Sequence, residues 1–220
     1  MFHVEHQQEL REFILGSAAT IGFTLTATQI DQFMRYLQEL VVWNKKINLT
    51  GIDKPRDIIV KHFVDSLAAL KACRIPLNSA LVDLGSGAGF PGIPLKIVRE
   101  DLHLILIEPV HKKSSFLKSL IGLLKLKDAF TFDGTVQEYV RTPSKGLADF
   151  VVIRALKFED VATAMTEILR PGGRVVLYRT ELFKPLEFPK NVSLETEISL
   201  SLPYGYGDRV ISVVEVRKAA

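Results

Sequence analysis

The chain has 220 residues, 47% of them hydrophobic and 24% charged, a balance that excludes a disordered, collagenous or low-complexity protein and leaves room for one full domain with a smaller appendage. Its net charge of +3 permits an anionic partner such as nucleic acid without requiring one. The single cysteine, Cys73, rules out an internal disulfide and a cysteine-rich zinc site; it fits a reducing compartment and is expected to pack near the junction of the two regions. The opening MFHVEHQQELREF has charges where a signal peptide needs an apolar stretch, and no later apolar run reaches the roughly 18 residues of a membrane span, so a cytoplasmic protein is expected.

In chain order, the first third reads as helical. One helix is expected over Glu5 to Ala19, ended by Gly22. A second starts at Thr26, which forms a capping box with Gln29, and carries Ile30, Phe33, Met34, Leu37, Leu40 and Val41 at helical spacing. A third follows Pro55, with Ile58, Ile59, Phe63, Leu67 and Leu70 as buried positions. Pro76 then interrupts the helical pattern, which predicts a helical extension over residues 1–76 and a second domain over residues 77–220.

From Ala80 the pattern changes to short β-branched runs alternating with helical stretches, the mark of parallel strands joined by crossover helices. The predicted strands are ALVDL from Ala80, HLILIE from His103, AFTF from Ala129, DFVVIR from Asp149, GRVVLYR from Gly173, a polar-alternating segment near Leu194, and VISVVEV from Val210. No helical pattern separates the last two. The prediction is therefore an α/β protein with a seven-stranded, mostly parallel sheet and an antiparallel hairpin at one edge.

The segment VDLGSGAGFPGIPL, from Val82 to Leu95, places Gly85, Gly87 and Gly89 between a strand and a helix, where a chain without side chains lets a ligand approach the backbone. Glycine-rich first turns serve NAD, FAD and S-adenosylmethionine alike, and a tight turn needs glycine with no ligand at all. Glu108 ends the second strand about 20 residues later, where a carboxylate accepts hydrogen bonds from ribose hydroxyls. LRPGGRVVLY, from Leu169 to Tyr178, reads as a helix end, a Pro-Gly-Gly turn and a strand start. In combination these features resemble the Rossmann-like S-adenosylmethionine-dependent methyltransferase fold.

The resemblance narrows further. DLGSGAGFPGIPL, with WNKKINLT from Trp43, KHFVDSL from Lys61, EPVHKKSSFLKSL from Glu108, the Arg154-Ala155 pair and GDRVISVVEVRK from Gly207, resembles the bacterial small-subunit ribosomal RNA guanine-N7 methyltransferase family, methyltransferase G, also called glucose-inhibited division protein B. The match runs in order along most of the chain. It implies methyl transfer from S-adenosylmethionine to N7 of one guanosine in small-subunit ribosomal RNA, with ribosomal RNA or the small ribosomal subunit as partner. It also implies cofactor contacts at Gly85 and Phe90, a loop shaped by Gly87 and Gly89 and ordered from below by Asp83, Glu108 as ribose acceptor, Val136 and Gln137 beside the adenine, and Arg154 lining the site. Three positions depart from the family's pattern: Thr135 stands where arginine is expected, Gln137 for glutamate and Arg179 for lysine.

The chemistry that the resemblance implies is undemanding of side chains. A sulfonium methyl is already activated, and guanine N7 carries a lone pair and no hydrogen, so no catalytic base is expected. No metal-ligand spacing stands out, and a monomer that binds neither metal nor membrane is expected. RNA contact is expected from Lys112, Lys113, Lys118, Lys125 and Lys127, and from Lys45, Lys46 and Lys61 near Trp43, although exposed lysines are ordinary. Trp43 is expected to pack in a core or between regions, and His62 and His111 to be exposed or capping residues. Alternatives are an NAD-dependent oxidoreductase, a nonenzymatic RNA-binding or ribosome-assembly factor on the same fold, and a small-molecule methyltransferase.

Overall fold

A computed structural model describes residues 4–142, 147–156, 161–182 and 191–217, with the side chains of residues 4 and 5 left aside. Residues 1–3 and 218–220, the ends of the two expected regions, lie outside it. Helix α1 (Val4–Thr20) ends at Ile21 and Gly22, the latter at φ 84°, and the Lys71 ammonium donates to the Ile21 carbonyl at 3.0 Å. Helix α2 (Ala27–Ile47) opens on the predicted capping box: Gln29 N–H donates to the Thr26 hydroxyl, and Thr26 N–H to the Gln29 side chain.

The third predicted helix is broken into α3 (Pro55–Ile58), a π-turn (Ile59–Val64), α4 (Asp65–Leu67) and α5 (Ala69–Ala72). Phe33, Met34, Leu37 and Leu40 are buried on α2, and Ile58, Ile59, Phe63 and Leu67 on the broken helix, while Ile30, Val41 and Leu70 are half-buried against the same core.

The sheet runs β1 (Ala80–Leu84), β2 (His103–Glu108), β3 (Ala129–Asp133), β4 (Ala148–Arg154), β5 (Leu169–Arg179), β6 (Val192–Ser201) and β7 (Asp208–Val216), in spatial order β3-β2-β1-β4-β5-β7-β6. All predicted strands are present. The hairpin forms, but with β7 seated between β5 and β6 and antiparallel to both, so β6 is the edge. One difference concerns β5: pairing advances from Leu169 opposite Ala148 to Arg174 opposite Phe150, so the Pro-Gly-Gly turn is an excursion inside the strand rather than a link before it.

Helices α6 (Gly92–Val98), α7 (His111–Leu124), α8 (Val136–Tyr139) and α9 (Ala162–Ile168) complete the layers. Side chains alternate between two cores with the period of two that a strand imposes. Leu81, Leu104, Leu106, Phe150 and Val152 join the helical N-terminal third, α6 and α7; Val82, Ile107, Val151 and Ile153 face α8 and α9. The N-terminal helices therefore share one apolar cluster with the sheet. Trp43 packs on Phe116 of α7 with ring centroids 5.6 Å apart and donates to Glu39, which is the packing role expected of it. Cys73, at the C-terminal end of α5, is half-buried, its thiol pushed up to about 11 by burial.

Phe63 sits at the centre of this shared cluster, 5.0 Å from both Phe33 and Tyr36 and 6.0 Å from Phe90, centroid to centroid. Phe63→Ala is expected to cost about 3–5 kcal/mol in urea unfolding with an unchanged denaturant slope. A loss below about 1 kcal/mol would mean that the helical layer collapses onto the space and does not depend on this ring.

Candidate functional site

The strand order reverses between β2-β1 and β4, and in an open parallel sheet that reversal opens a crevice at the carboxyl ends of the strands. Register brings Leu84 beside Ile107 and Ile153, Glu108 beside Asp133, and Arg154 beside Tyr178 along that rim. The predicted residues thus fall on neighbouring strand ends or on the turns that follow them.

The glycine turn is held from three sides. Gly85 and Ser86 both donate backbone N–H to the Ile107 carbonyl, at 2.9 and 3.1 Å. Gly87 N–H donates to Glu108 Oε2 at 2.7 Å, and Val110 N–H to Oε1 at 2.9 Å, so the nearly buried carboxylate ties the turn to the chain leaving β2. Beneath it the fully buried Asp83 accepts the Gly92 N–H at 2.7 Å. Burial pushes the Asp83 carboxyl up to about 7, partly offset by the Gly92 hydrogen bond. Asp83 thus ties the start of α6 to the end of β1 beneath the turn.

Glycine is required here for two different reasons. Gly85 has φ 70°, and a Cβ on it would lie 2.6 Å from Leu156 Cδ1; at Gly89, φ 96°, it would lie 2.8 Å from the Tyr36 hydroxyl. A Cβ on Gly87 would meet nothing nearer than the Gly85 carbonyl oxygen at 3.8 Å, so that face of the turn stays open to a ligand. Tyr36, which the helical spacing of α2 does not single out, donates its hydroxyl to the Ala88 carbonyl at 2.5 Å and couples α2 directly to the turn.

Phe90 is buried against Tyr36 and His62, with centroids 5.3 and 4.4 Å away and both pairs stacked. Val136 is buried and Gln137 exposed on the first turn of α8, just past Gly134, whose N–H donates to the Glu108 carbonyl. Thr135 acts locally, its hydroxyl capping α8 by accepting from Glu138 N–H.

Arg154 is the hub of a network that sequence reasoning missed in most of its members. Its guanidinium donates to the Lys61 carbonyl at 2.9 Å and to His62 Nδ1 at 2.8 Å, and Nη1 lies 3.4 Å from Asp65 Oδ2. Arg209 approaches the other oxygen of Asp65 at 3.0 Å. His62 is buried, not exposed or capping as expected, and lies in the π-turn; its neighbour Thr50 is 2.8 Å from Nε2. Because a guanidinium only donates, Nδ1 must accept, which leaves the proton on Nε2 to reach Thr50. Burial first, and then Arg154, push the His62 imidazolium down to about 3. Burial likewise raises the Asp65 carboxyl, and Arg154 and Arg209 work against that rise. His62 and Asp65 fall on the otherwise apolar side of the broken helix, and that charge among buried spacings was the available signal.

Asp65, Arg154 and Arg209 line a cleft of about 450 Å³ together with Ala155, Tyr178 and Glu181. Ala155 has φ 62° and turns β4 toward Leu156, which covers Gly85, so the cleft adjoins the glycine turn. His111 is exposed and bonded to Asp133 at 2.7 Å, and Lys118 lies 3.5 Å from the same carboxylate. Among the described residues no group of three or more His, Cys, Asp or Glu side chains is placed to hold a metal, and no helix is long and apolar enough to cross a membrane.

A family model described as rRNA small subunit methyltransferase G matches residues 29–205. A relative from Lachnoclostridium phytofermentans, named ribosomal RNA small subunit methyltransferase G, is 34% identical over 87% of this chain and 82% of its own length. One of the same name from Geobacter sp. strain M21 is 40% identical over 77% of each chain. Among solved structures, MtNAS in complex with MTA and tNA superposes with a TM-score of 0.59 over 98% of this chain and 77% of its own, at 14% identity, which is a likeness of fold.

His62 and Asp83 move stability in opposite directions with pH. The unfolded chain takes a proton at this histidine below its ordinary value near 6.5 and the folded chain only near 3, so its contribution to stability is complete above pH 6.5 and is lost as pH falls toward 3. At Asp83 the folded chain keeps its proton up to about 7, so stability declines between about pH 4 and 7 and levels off above. Stability curves of His62→Gln and Asp83→Asn, measured by urea unfolding from pH 4 to 8, are expected to lose the acid fall and the neutral decline respectively. Curves parallel to wild type would refute both assignments.

Proposed function

The chain belongs to the rRNA small subunit methyltransferase G family and is an S-adenosylmethionine-dependent methyltransferase of small-subunit ribosomal RNA, and we propose that it methylates N7 of one guanosine in the cleft beside its glycine turn. The observation that carries this placement is the abutment of two features: an open glycine turn tied to a buried carboxylate, and an arginine-lined cleft separated from it only by Ala155 and Leu156.

The residues fit the cofactor. Each oxygen of Glu108 accepts one backbone N–H and keeps lone-pair capacity for a ribose hydroxyl, and the face of Gly87 is free of side chains. Gly85, Gly87, Gly89 and Glu108 would hold the nucleoside and ribose, Val136 and Gln137 the adenine side, and Phe90 backs the wall next to Arg154. S-adenosylmethionine supplies a methyl group already activated by its sulfonium. The chain's own contribution is alignment. Guanine N7 attacks with its lone pair and loses no proton, so no general base is required of the site. Guanine carries O6 next to N7 on the same edge, an acceptor suited to a guanidinium. Arg154 and Arg209, held by Asp65, offer such donors at the cleft and orient the base while leaving N7 unbonded.

An A-form helix closes its major-groove edge to side chains, so the target guanosine must be unpaired or turned out of its stack. A ribosomal RNA substrate supports a cytoplasmic site of action.

Incubation with methyl-labelled S-adenosylmethionine and small subunits from cells lacking this protein is expected to give 7-methylguanosine at a single ribosomal position. Label on another atom or base would overturn the N7 assignment. Glu108→Ala is expected to weaken cofactor binding at least about tenfold, the order of one or two charge-assisted hydrogen bonds. Wild-type affinity in that variant, measured by calorimetry, would remove Glu108 from the site.

A further inference from the structure

The β6–β7 connection reads Pro203-Tyr204-Gly205-Tyr206-Gly207, and methyl transfer makes no use of its two tyrosines. Tyr204 is 57% exposed although its φ of 58° is one that bulky residues rarely adopt. Its ring stacks on Phe13 of α1 with centroids 4.9 Å apart, and the Arg56 guanidinium carbon lies 4.6 Å from the centre of that same Phe13 ring. The Tyr206 hydroxyl donates to Asp57 at 2.8 Å, and the Lys61 ammonium lies 5.3 Å from the centre of its ring.

This surface is linked to the cleft through Lys61 and the start of β7. The carbonyl of the same Lys61 accepts from Arg154, and Arg209, three residues past Tyr206, holds Asp65 in the cleft. Three nearby carboxylates are engaged: Asp57 by Tyr206, Asp208 by Ser201, and Asp65 by the two arginines. An exposed aromatic face flanked by cations is the combination that binds unpaired nucleotides, the ring stacking on a base while lysine and arginine meet phosphates. A target guanosine outside a helix necessarily has neighbours that offer unstacked bases.

We propose that Tyr204 and Tyr206, with Arg56 and Lys61, form a stacking platform for the unpaired ribosomal RNA nucleotides next to the methylated guanosine. The proposal rests on the RNA methyltransferase reading, and its test separates the two. Binding of deproteinised small-subunit ribosomal RNA by full-length Tyr204→Ala, Tyr204→Trp and Arg56→Gln is measured by filter retention across a salt series, beside thermal stability and S-adenosylmethionine affinity. Tyr204→Ala is expected to weaken RNA binding at least about fivefold, the lower end for one stacked base, with cofactor affinity, melting temperature and salt slope unchanged. Tyr204→Trp should restore binding, and Arg56→Gln should lower the salt slope by about one. Wild-type RNA affinity in Tyr204→Ala overturns the platform whether or not methyl is transferred. So does a loss that tryptophan leaves unrestored or that tracks the melting temperature, because Tyr204 then serves only to pack α1. Absence of methyl transfer by the wild type with these binding effects intact would overturn the functional reading and leave the platform standing.

Discussion

One buried carboxylate joins three distant parts of the chain. Asp65, from the broken helix, faces Arg154 at the end of β4 and Arg209 at the start of β7. A carboxylate out of water is costly unless its charge is met, and removing one partner of such a cluster leaves the others unmatched. The helical third, the parallel half of the sheet and its reversed strand therefore cannot shift independently where they meet. The second guanidinium leaves this cluster with a surplus positive charge, and that surplus faces the cleft. A neutral His62 suits the arrangement: it accepts from Arg154 without adding a third cation.

The glycine turn depends on the same neighbourhood. Tyr36 reaches from α2 to the Ala88 carbonyl, Phe90 lies between Tyr36 and His62, and Leu156, two residues past Arg154, covers Gly85. Glu108 and Asp83 fix the turn from the strand side through backbone N–H groups. Such preorganisation is what a methyl transfer without acid–base chemistry asks of its protein, because alignment is the main contribution left for it to make. The N-terminal helices thus furnish a wall of the site as well as a cover for the sheet.

Much of this was legible in the sequence because the signals were local. The Thr26 capping box, the β-branched runs and the glycines between β1 and α6 each act within a few residues, and they appear where the pattern puts them. Gly85, Gly87, Gly89 and Glu108 converge because strand order and register bring the ends of β1 and β2 side by side. The ion cluster was not legible, since Asp65 and Arg209 are 144 positions apart and only the placement of β7 beside β5 brings them together. His62 was misread for a related reason. A histidine among Ile59, Phe63 and Leu67 suggests a cap or a surface site until Arg154, at the end of β4, donates to it as a buried partner. The excursion in β5 also depends on context, because only pairing with β4 makes Leu169 part of the strand.

The proposed action of Asp65 through Arg154 on the methyl acceptor is tested by a double-mutant cycle. Single-turnover methyl transfer to ribosomal RNA, at saturating cofactor, is compared for wild type, Asp65→Asn, Arg154→Lys and the double variant, with cofactor affinity and folding measured on each. Slow transfer is expected in both single variants at near-wild-type cofactor affinity, with a double variant no slower than the worse single one. Losses that multiply in the double variant would show that the two residues act independently and would contradict it.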